Sequence, residues 1–137
     1  MNKIVSGKSY RQETSLNISP KRGEVWLVNF DPTVGSEIKK VRPAIILSSD
    51  QIGRLPIKLI APITDWKDYF EQNLWHVQIQ PDAQNGLSKV SAIDTLQIRG
   101  VDTRRFIRKL GQVPETTMQE IGAAIASLIE FQIELSP

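Results

Sequence analysis

The chain has 137 residues, of which 40% are apolar and 23% charged, as is typical of one globular domain with one hydrophobic core. It has no cysteine and one histidine, so the sequence excludes disulfides, thiolate metal ligands and a cysteine nucleophile, and we expect neither a metal nor a cofactor. Because no run approaches the ~20 apolar residues of a membrane helix and no apolar secretion signal opens the chain, we expect a cytoplasmic protein without a membrane partner.

Positive charge is concentrated at the N-terminus. Residues 1–22 carry five Lys or Arg and one Glu, so their net charge is +4. The whole chain has a net charge of +2, so the remaining 115 residues have a net charge of −2. We predict that residues 1–20 are a flexible N-terminal extension, either a solvated tail or an arm that binds RNA, and that residues 21–137 are the folded domain. A second basic cluster inside that domain is a candidate binding surface; it contains Arg99, Arg104, Arg105, Arg108 and Lys109.

Short apolar segments separated by turn-forming residues predict strands from Glu24 onward. The predicted strands are residues 24–30, 43–47, 57–63, 75–79, 90–98 and 106–110. Pro62 predicts that the third strand is an edge strand or ends there, because proline donates no ladder hydrogen bond. Asn85-Gly86 predicts a tight turn.

The C-terminal segment has a different period. Its apolar residues recur on one face of a 3.6-residue helix, and Pro114 suits the first turn of that helix; they are Met118, Ile121, Ile125, Leu128 and Ile129. Five or six strands followed by one helix predict a mainly β (α+β) fold, a small and strongly bent β-barrel or sheet with a C-terminal helix packed on it.

Several segments in a fixed order carry a family resemblance. They are KRGEVWLV at 21–28, DPTVGSE at 31–37, VRPAIIL at 41–47, APIT at 61–64, NGLS at 85–88 and QIR at 97–99. As a set, over roughly residues 21–131, they resemble the MazF/PemK/Kid family of toxin endoribonucleases. The resemblance implies an SH3-like barrel that forms a homodimer and is the toxin of a type II toxin–antitoxin pair. It also implies metal-independent, sequence-specific cleavage of single-stranded mRNA, and inhibition by a cognate antitoxin protein.

Metal-free RNA cleavage uses the 2′-hydroxyl as the nucleophile. The protein must help to remove its proton, stabilise negative charge at phosphorus and protonate the leaving 5′-oxygen. The resemblance makes Arg42, Thr64 and Glu37 the candidate catalytic residues. Arg42 would bind phosphoryl oxygens, Thr64 would hydrogen-bond the scissile phosphate, and Glu37 would accept the 2′-hydroxyl proton or orient Arg42. The alternatives are that Arg42 only pairs with Glu37 and that Thr64 only ends a strand.

Further polar residues near these motifs are candidates for RNA binding; they are Ser36, Lys39, Lys40, Asp65, Gln97 and Arg99. The two lysines would contact phosphates without base selectivity. Gln97 and Arg99 suit base edges or backbone, unless they are solvated strand positions. Asp65 stands where relatives often have a small hydroxyl residue, and either repels RNA or acts as a base.

Two interpretations stay open beside the leading one. The chain could be a gyrase-poisoning toxin of the CcdB type, or a relative that binds RNA without cutting it. Aromatic residues after Thr64 would stack on bases or pack in the core, and His76 is expected to be structural. Cleavage of single-stranded RNA in EDTA distinguishes the alternatives.

Overall fold

The computed structural model describes residues 4–5, 8–9 and 19–132. Most of the predicted extension, residues 1–20, lies outside the described residues, as do residues 133–137. The strands and the helix are β1 (Ile4–Val5), β2 (Lys8–Ser9), β3 (Glu24–Asn29), β4 (Val41–Ile46), β5 (Ile57–Asp65), β6 (His76–Ile79), β7 (Ser91–Asp94), β8 (Arg99–Asp102), β9 (Phe106–Gln112) and α1 (Glu115–Leu128). Within the described ranges, no helix is long and apolar enough to cross a bilayer.

Strands β3 to β9 form one antiparallel sheet. Its order is β6-β7-β5-β4-β3-β9, with β8 paired to β5, while β1 and β2 pair only with each other. Strand pairing does not close this sheet, but the loop after β6 reaches its other end, where the Gln112 N–H donates to the Gln84 carbonyl at 2.9 Å. The predicted mainly β fold, with a bent, barrel-like sheet and one C-terminal helix, is confirmed.

Both faces of the sheet are covered by apolar side chains. Along β3, Val25 points into one core cluster, whereas Trp26 and Val28 point into the other. The first cluster includes Met118 and Ile121 of α1, so the helix covers that face. Two clusters therefore replace the single expected core, and they explain why β3 is apolar on both sides.

The segment predicted as one strand over residues 90–98 is divided. β7 ends at Asp94, a 3₁₀ turn spans Thr95–Gln97, and β8 begins at Arg99. The Asp94 carboxylate starts the turn by accepting a hydrogen bond from the Leu96 N–H at 3.0 Å. Apolar alternation alone does not reveal such a cap.

The expectation that Pro62 marks an edge or an end is wrong, because β5 is a central strand that continues to Asp65. Pro62 lies between Ile60, which pairs with Arg99 of β8, and Ile63, which pairs with Ile93 of β7. Since β5 changes partners at this point, the missing N–H of proline falls where the neighbouring strand is interrupted.

Candidate functional site

Two cavities are lined by residues of β5, the larger by Pro62 and the smaller by Ile63. The larger cavity, about 490 Å³, is lined by polar residues and one ring from the predicted site region, namely Ser36, Glu37, Gln97, Arg99 and Phe30. The smaller cavity, about 260 Å³, is lined by Arg42, Thr64, Asp65, Ser88, Lys89 and Arg108. The predicted site residues are thus divided between two neighbouring cavities, and Lys39 and Lys40 line neither.

Arg42 and Thr64 lie on adjacent strands. Arg42 pairs with Val28 of β3. Between β4 and β5, Ala44 pairs with Pro62. Arg42 and Thr64 each lie two residues beyond that pair on their own strands. The Arg42 side chain is anchored at one point, because its Nε donates to the Lys39 carbonyl at 3.2 Å. Within residues 19–132 no ion pair joins Arg42 to Glu37.

Gln97 holds the loop over the larger cavity. Its Oε1 accepts from the Ile38 N–H at 2.6 Å, and its Nε2 donates to the Ser36 carbonyl at 3.3 Å. Inside the same loop, Glu37 Oε1 accepts from the Val34 N–H at 2.6 Å. Both Gln97 and Glu37 therefore engage backbone groups of this loop, so each fixes its shape.

Lys39 and Lys40 form the junction between this loop and β4. Lys40 has a left-handed φ of 71°, its N–H donates to the Asp31 carboxylate at 3.0 Å, and its carbonyl accepts from the Phe30 N–H at 2.9 Å. The Lys39 carbonyl is the anchor of Arg42. The backbone of both lysines thus sets where β4, and with it Arg42, begins.

Two arginines brace the end of β3. Arg99 Nη1 donates to the Phe30 carbonyl at 3.2 Å, with its guanidinium carbon 5.8 Å from the centre of the Phe30 ring. Arg105 Nη1 donates to the carbonyls of Asn29 and Asp31. Burial, together with the nearby Arg99 charge, lowers the pKa of the Arg105 guanidinium.

The predicted basic cluster does not form one surface. Arg104 pairs with Asp102 at 2.9 Å, and Lys109 pairs with Glu24 at 2.9 Å. Arg108, which lies opposite Leu27 of β3, is the member of the cluster that lines the smaller cavity. Sequence reasoning marked Arg108 only as one of a basic group and did not assign it to the site.

The predicted turn at Asn85-Gly86 brings Ser88 and Lys89 to the smaller cavity. The buried Asn85 side chain donates to the Gln80 carbonyl at 2.8 Å and accepts from the Leu87 N–H at 3.0 Å. Lys89 Nζ then lies 3.6 Å from Asp65 Oδ2. Neither residue was among the predicted site residues, although Ser88 ends the NGLS segment of the resemblance and Lys89 follows it.

His76 and Asp94 lie away from both cavities. The His76 ring stacks on Phe70 with centres 3.9 Å apart, and its Nε2 is 3.6 Å from Asp94 Oδ2. Burial lowers the pKa of His76, and the Asp94 carboxylate opposes that shift. This placement favours the structural role expected for His76.

The aromatic residues after Thr64 pack mainly on one another. Phe70 contacts Trp66 edge-on at 5.7 Å and Tyr69 at 4.9 Å between ring centres. Tyr69 is exposed, whereas Trp66 and Phe70 are half-buried. The loop therefore has its own small aromatic cluster beside β5.

Comparisons with known proteins agree with the fold and with the motifs. The sequence profile of a family described as "PemK-like, MazF-like toxin of type II toxin-antitoxin system" matches residues 21–129. The chain is 27% identical to the endoribonuclease PemK of Escherichia coli over 128 residues, which covers 90% of this chain and 92% of that protein. It is 34% identical to the endoribonuclease MazF of Staphylococcus epidermidis over 106 residues, which covers 77% of this chain and 87% of that protein.

Solved structures show the same architecture. The crystal structure of MazF from Deinococcus radiodurans matches with a TM-score of 0.68 and 25% identity, covering 83% of this chain and 99% of that one. A MazE–MazF structure from the same organism matches with a TM-score of 0.65 and 24% identity, covering 85% of this chain and 100% of that one.

Proposed function

Because this chain belongs to the family of PemK-like and MazF-like toxins of type II toxin–antitoxin systems, we propose that its two cavities are the RNA site of an endoribonuclease. The predicted family and enzyme class are confirmed: the chain is a toxin endoribonuclease, as its relatives PemK and MazF are. Neither a gyrase poison nor a non-cutting RNA binder is found among these relatives.

The observation that carries the proposal is that Arg42 and Thr64 line the same smaller cavity. Arg42 uses Nε to bind the Lys39 carbonyl, so the four N–H donors on its two Nη atoms remain for an anion. A guanidinium fork and a neighbouring hydroxyl suit two non-bridging phosphoryl oxygens. The scissile phosphate therefore binds between Arg42 and Thr64, and Arg42 stabilises the charge that develops at phosphorus.

The carboxylate that lines the same cavity is Asp65, whereas Glu37 lines the other one. One Glu37 oxygen is already engaged by the Val34 N–H at 2.6 Å. We therefore assign proton acceptance to Asp65 and loop positioning to Glu37. The proton of the 2′-hydroxyl passes to Asp65 as the 2′-oxygen bonds to phosphorus, and the P–O5′ bond breaks with a proton from water. The products are a 2′,3′-cyclic phosphate and a 5′-hydroxyl end.

The larger cavity suits a nucleobase beside the cut. Its volume of about 490 Å³ is within the ~300–1,000 Å³ range of small-molecule sites. The exposed Leu96 and the apolar Ile38 offer apolar contact surface, and Arg99 offers a cation. Gln97 acts there by holding the Ser36 and Ile38 backbone, so base selection depends on the loop that it positions. Lys39 and Lys40 contact phosphates beside that loop.

The experiment is cleavage of a defined single-stranded RNA by the purified protein in EDTA, with the new ends identified chemically. We expect cleavage at a short recurring sequence, leaving cyclic phosphate and 5′-hydroxyl ends. The matched control removes a cation from the exposed Arg54, which lines neither cavity, by Arg54→Gln. Cleavage that needs an added divalent metal, or an intact RNA in both conditions, would contradict the proposal.

The assembly and location of the chain belong to the same proposal. We expect it to act in the cytoplasm as a homodimer, with a cognate antitoxin as its protein partner. An acidic antitoxin segment would occupy the cation-lined smaller cavity and thereby exclude RNA. Residues 1–20 stay a predicted extension to the toxin domain at 21–137.

A further inference from the structure

The smaller cavity carries more positive charge than the proposed chemistry uses. Arg42, Lys89 and Arg108 line it, and Asp65 is the carboxylate among the residues around it. Lys89 Nζ lies 3.6 Å from Asp65 Oδ2, so these two charges offset each other. Arg42 and Arg108 remain, and two guanidinium groups at one small cavity favour an anionic occupant.

Arg108 differs from its basic neighbours in having no side-chain partner within residues 19–132. Arg104 pairs with Asp102, and Lys109 pairs with Glu24. Among the residues that the structure describes, none forms a hydrogen bond or an ion pair with the Arg108 side chain. All five of its N–H donors are therefore available to a ligand.

The position of Arg108 separates its role from that of Arg42. Arg108 lies opposite Leu27, which lies opposite Pro43, so Arg108 starts from their face of the sheet. Arg42 lies opposite Val28 and therefore starts from the other face. Two strand spacings of ~4.8 Å put the backbones of Arg108 and Pro43 ~10 Å apart. Thr64 is on the strand on the other side of β4, so the scissile phosphate held by Arg42 and Thr64 lies away from β9.

We propose that Arg108 is an RNA-binding residue that holds the phosphate flanking the scissile one, at the β9 side of the smaller cavity. Phosphate contacts fix the register of a strand without reading its bases. Arg108 therefore adds affinity for the flanking nucleotide, whatever its base. The proposal rests on the proposed function, and it adds a substrate contact that the family motifs do not contain.

The first test measures binding without cleavage. A single-stranded RNA oligonucleotide with 2′-O-methyl groups is titrated into wild type, Arg108→Gln and Arg54→Gln at several salt concentrations. Losing one phosphate contact should flatten the plot of log K against log salt by ~0.7 and weaken binding about tenfold or more at low salt. Arg54→Gln should match wild type. Arg108→Lys should restore the salt slope, with incomplete affinity because the bidentate fork is lost.

The second test separates KM from kcat on a cleavable RNA. Arg108→Gln should raise KM and leave kcat and the cleaved sequence nearly unchanged, since a flanking contact acts in ground state and transition state alike. A salt slope and affinity equal to those of Arg54→Gln would overturn the role of Arg108, even where wild type cleaves RNA. If wild type binds RNA through Arg108 and does not cleave it, the proposed function fails, and of this inference the phosphate contact of Arg108 stands while its place beside a scissile phosphate does not.

Discussion

Removing the Arg42 side chain should slow catalysis strongly. Its guanidinium is fixed at Nε by the Lys39 carbonyl at 3.2 Å, so its remaining donors are preorganised for a phosphate. Arg42→Ala should reduce kcat by at least ~10²-fold, as expected when one charge-stabilising donor is deleted. Single-turnover cleavage measures the rate, and circular dichroism checks the fold. Near-normal cleavage by the folded variant would remove Arg42 from the mechanism.

Asp65 and Glu37 can be compared directly, because they line different cavities. Asp65→Asn keeps the shape and removes the proton acceptor, so we expect the cleavage rate to fall by ~10²–10⁴-fold. Glu37→Gln keeps an acceptor for the Val34 N–H and should have a much smaller effect. Faster cleavage by Asp65→Asn would instead show that this carboxylate repels the substrate.

The turn before β7 is the element that carries Ser88 and Lys89 to the site, and Gly86 makes its packing possible. Gly86 has a φ of 70°, and a Cβ there would clash with the Leu110 carbonyl oxygen. Gly35 also has a positive φ, 56°, but a Cβ there meets nothing within 4 Å. Gly35→Ala should cost about 1–2 kcal/mol from the backbone alone. Gly86→Ala should lower the free energy of unfolding by more than Gly35→Ala does, as measured by urea denaturation. Equal losses in the two variants would mean that β9 moves to make room for the added methyl group.

An ion pair links the start of the domain to α1. Arg22 binds Glu115 through two hydrogen bonds, Nη1 to Oε2 at 2.7 Å and Nη2 to Oε1 at 3.0 Å. These bonds, assisted by Gln119, lower the pKa of Glu115 to about 2. Because the folded pKa lies below the unfolded value of ~4.3, the stabilisation is present above that pH and is lost as pH falls towards the folded value.

Glu115→Gln should therefore lower the melting temperature at neutral pH, by a small amount because the pair is exposed. The difference from wild type should shrink as the pH falls below ~4.3. Glu120→Gln on the same helix is the control, since the described residues offer Glu120 no ion pair. A difference that does not depend on pH would assign the effect to helix propensity.

Local patterns predicted most elements but not their partners. Alternation and the Asn85-Gly86 turn located the strands within a few residues, and period 3.6 located α1. The Asp94 cap that divides residues 90–98 and the change of partner at Pro62 both depend on neighbouring strands. Pattern reasoning sees one segment at a time, so it cannot assign them.

The same limit applies to the site across the whole molecule. Family motifs pointed to Arg42 and Thr64, which lie on adjacent strands and line one cavity. They did not reveal that Arg108 shares this cavity, because it is 66 residues after Arg42 in the chain and joins the site only through the pairing of β3 with both β4 and β9. They also grouped Glu37 with Arg42, which stays a prediction; Glu37 lines the larger cavity and Arg42 the smaller one.

An exposed apolar row at the start of β5 is the surface through which we expect two copies of the chain to assemble. Leu55, Ile57 and Leu59 alternate along the chain and are 57%, 48% and 42% exposed. Ile57 and Leu59 are two residues apart on β5 and therefore share one face, and the exposed Leu55 lies just before the strand. Together they offer an apolar surface for a second copy to cover. In a homodimer formed through this surface, the same patch of each copy contacts the other. One substitution to a charged residue therefore adds a charge on both sides of the interface.

Wild type should therefore be a dimer in light scattering at micromolar concentration, and Leu59→Lys should be a monomer. The control is Val34→Lys, which adds the same charge at an 80% exposed residue outside the row and should stay dimeric. Because Leu59 lines neither cavity, the monomer should keep its affinity for 2′-O-methyl RNA if each protomer holds a complete site. A monomeric wild type would refute the dimer, and a dimeric, folded Leu59→Lys would place the interface on another face. Loss of RNA affinity in a folded monomer would show that the partner protomer completes the site.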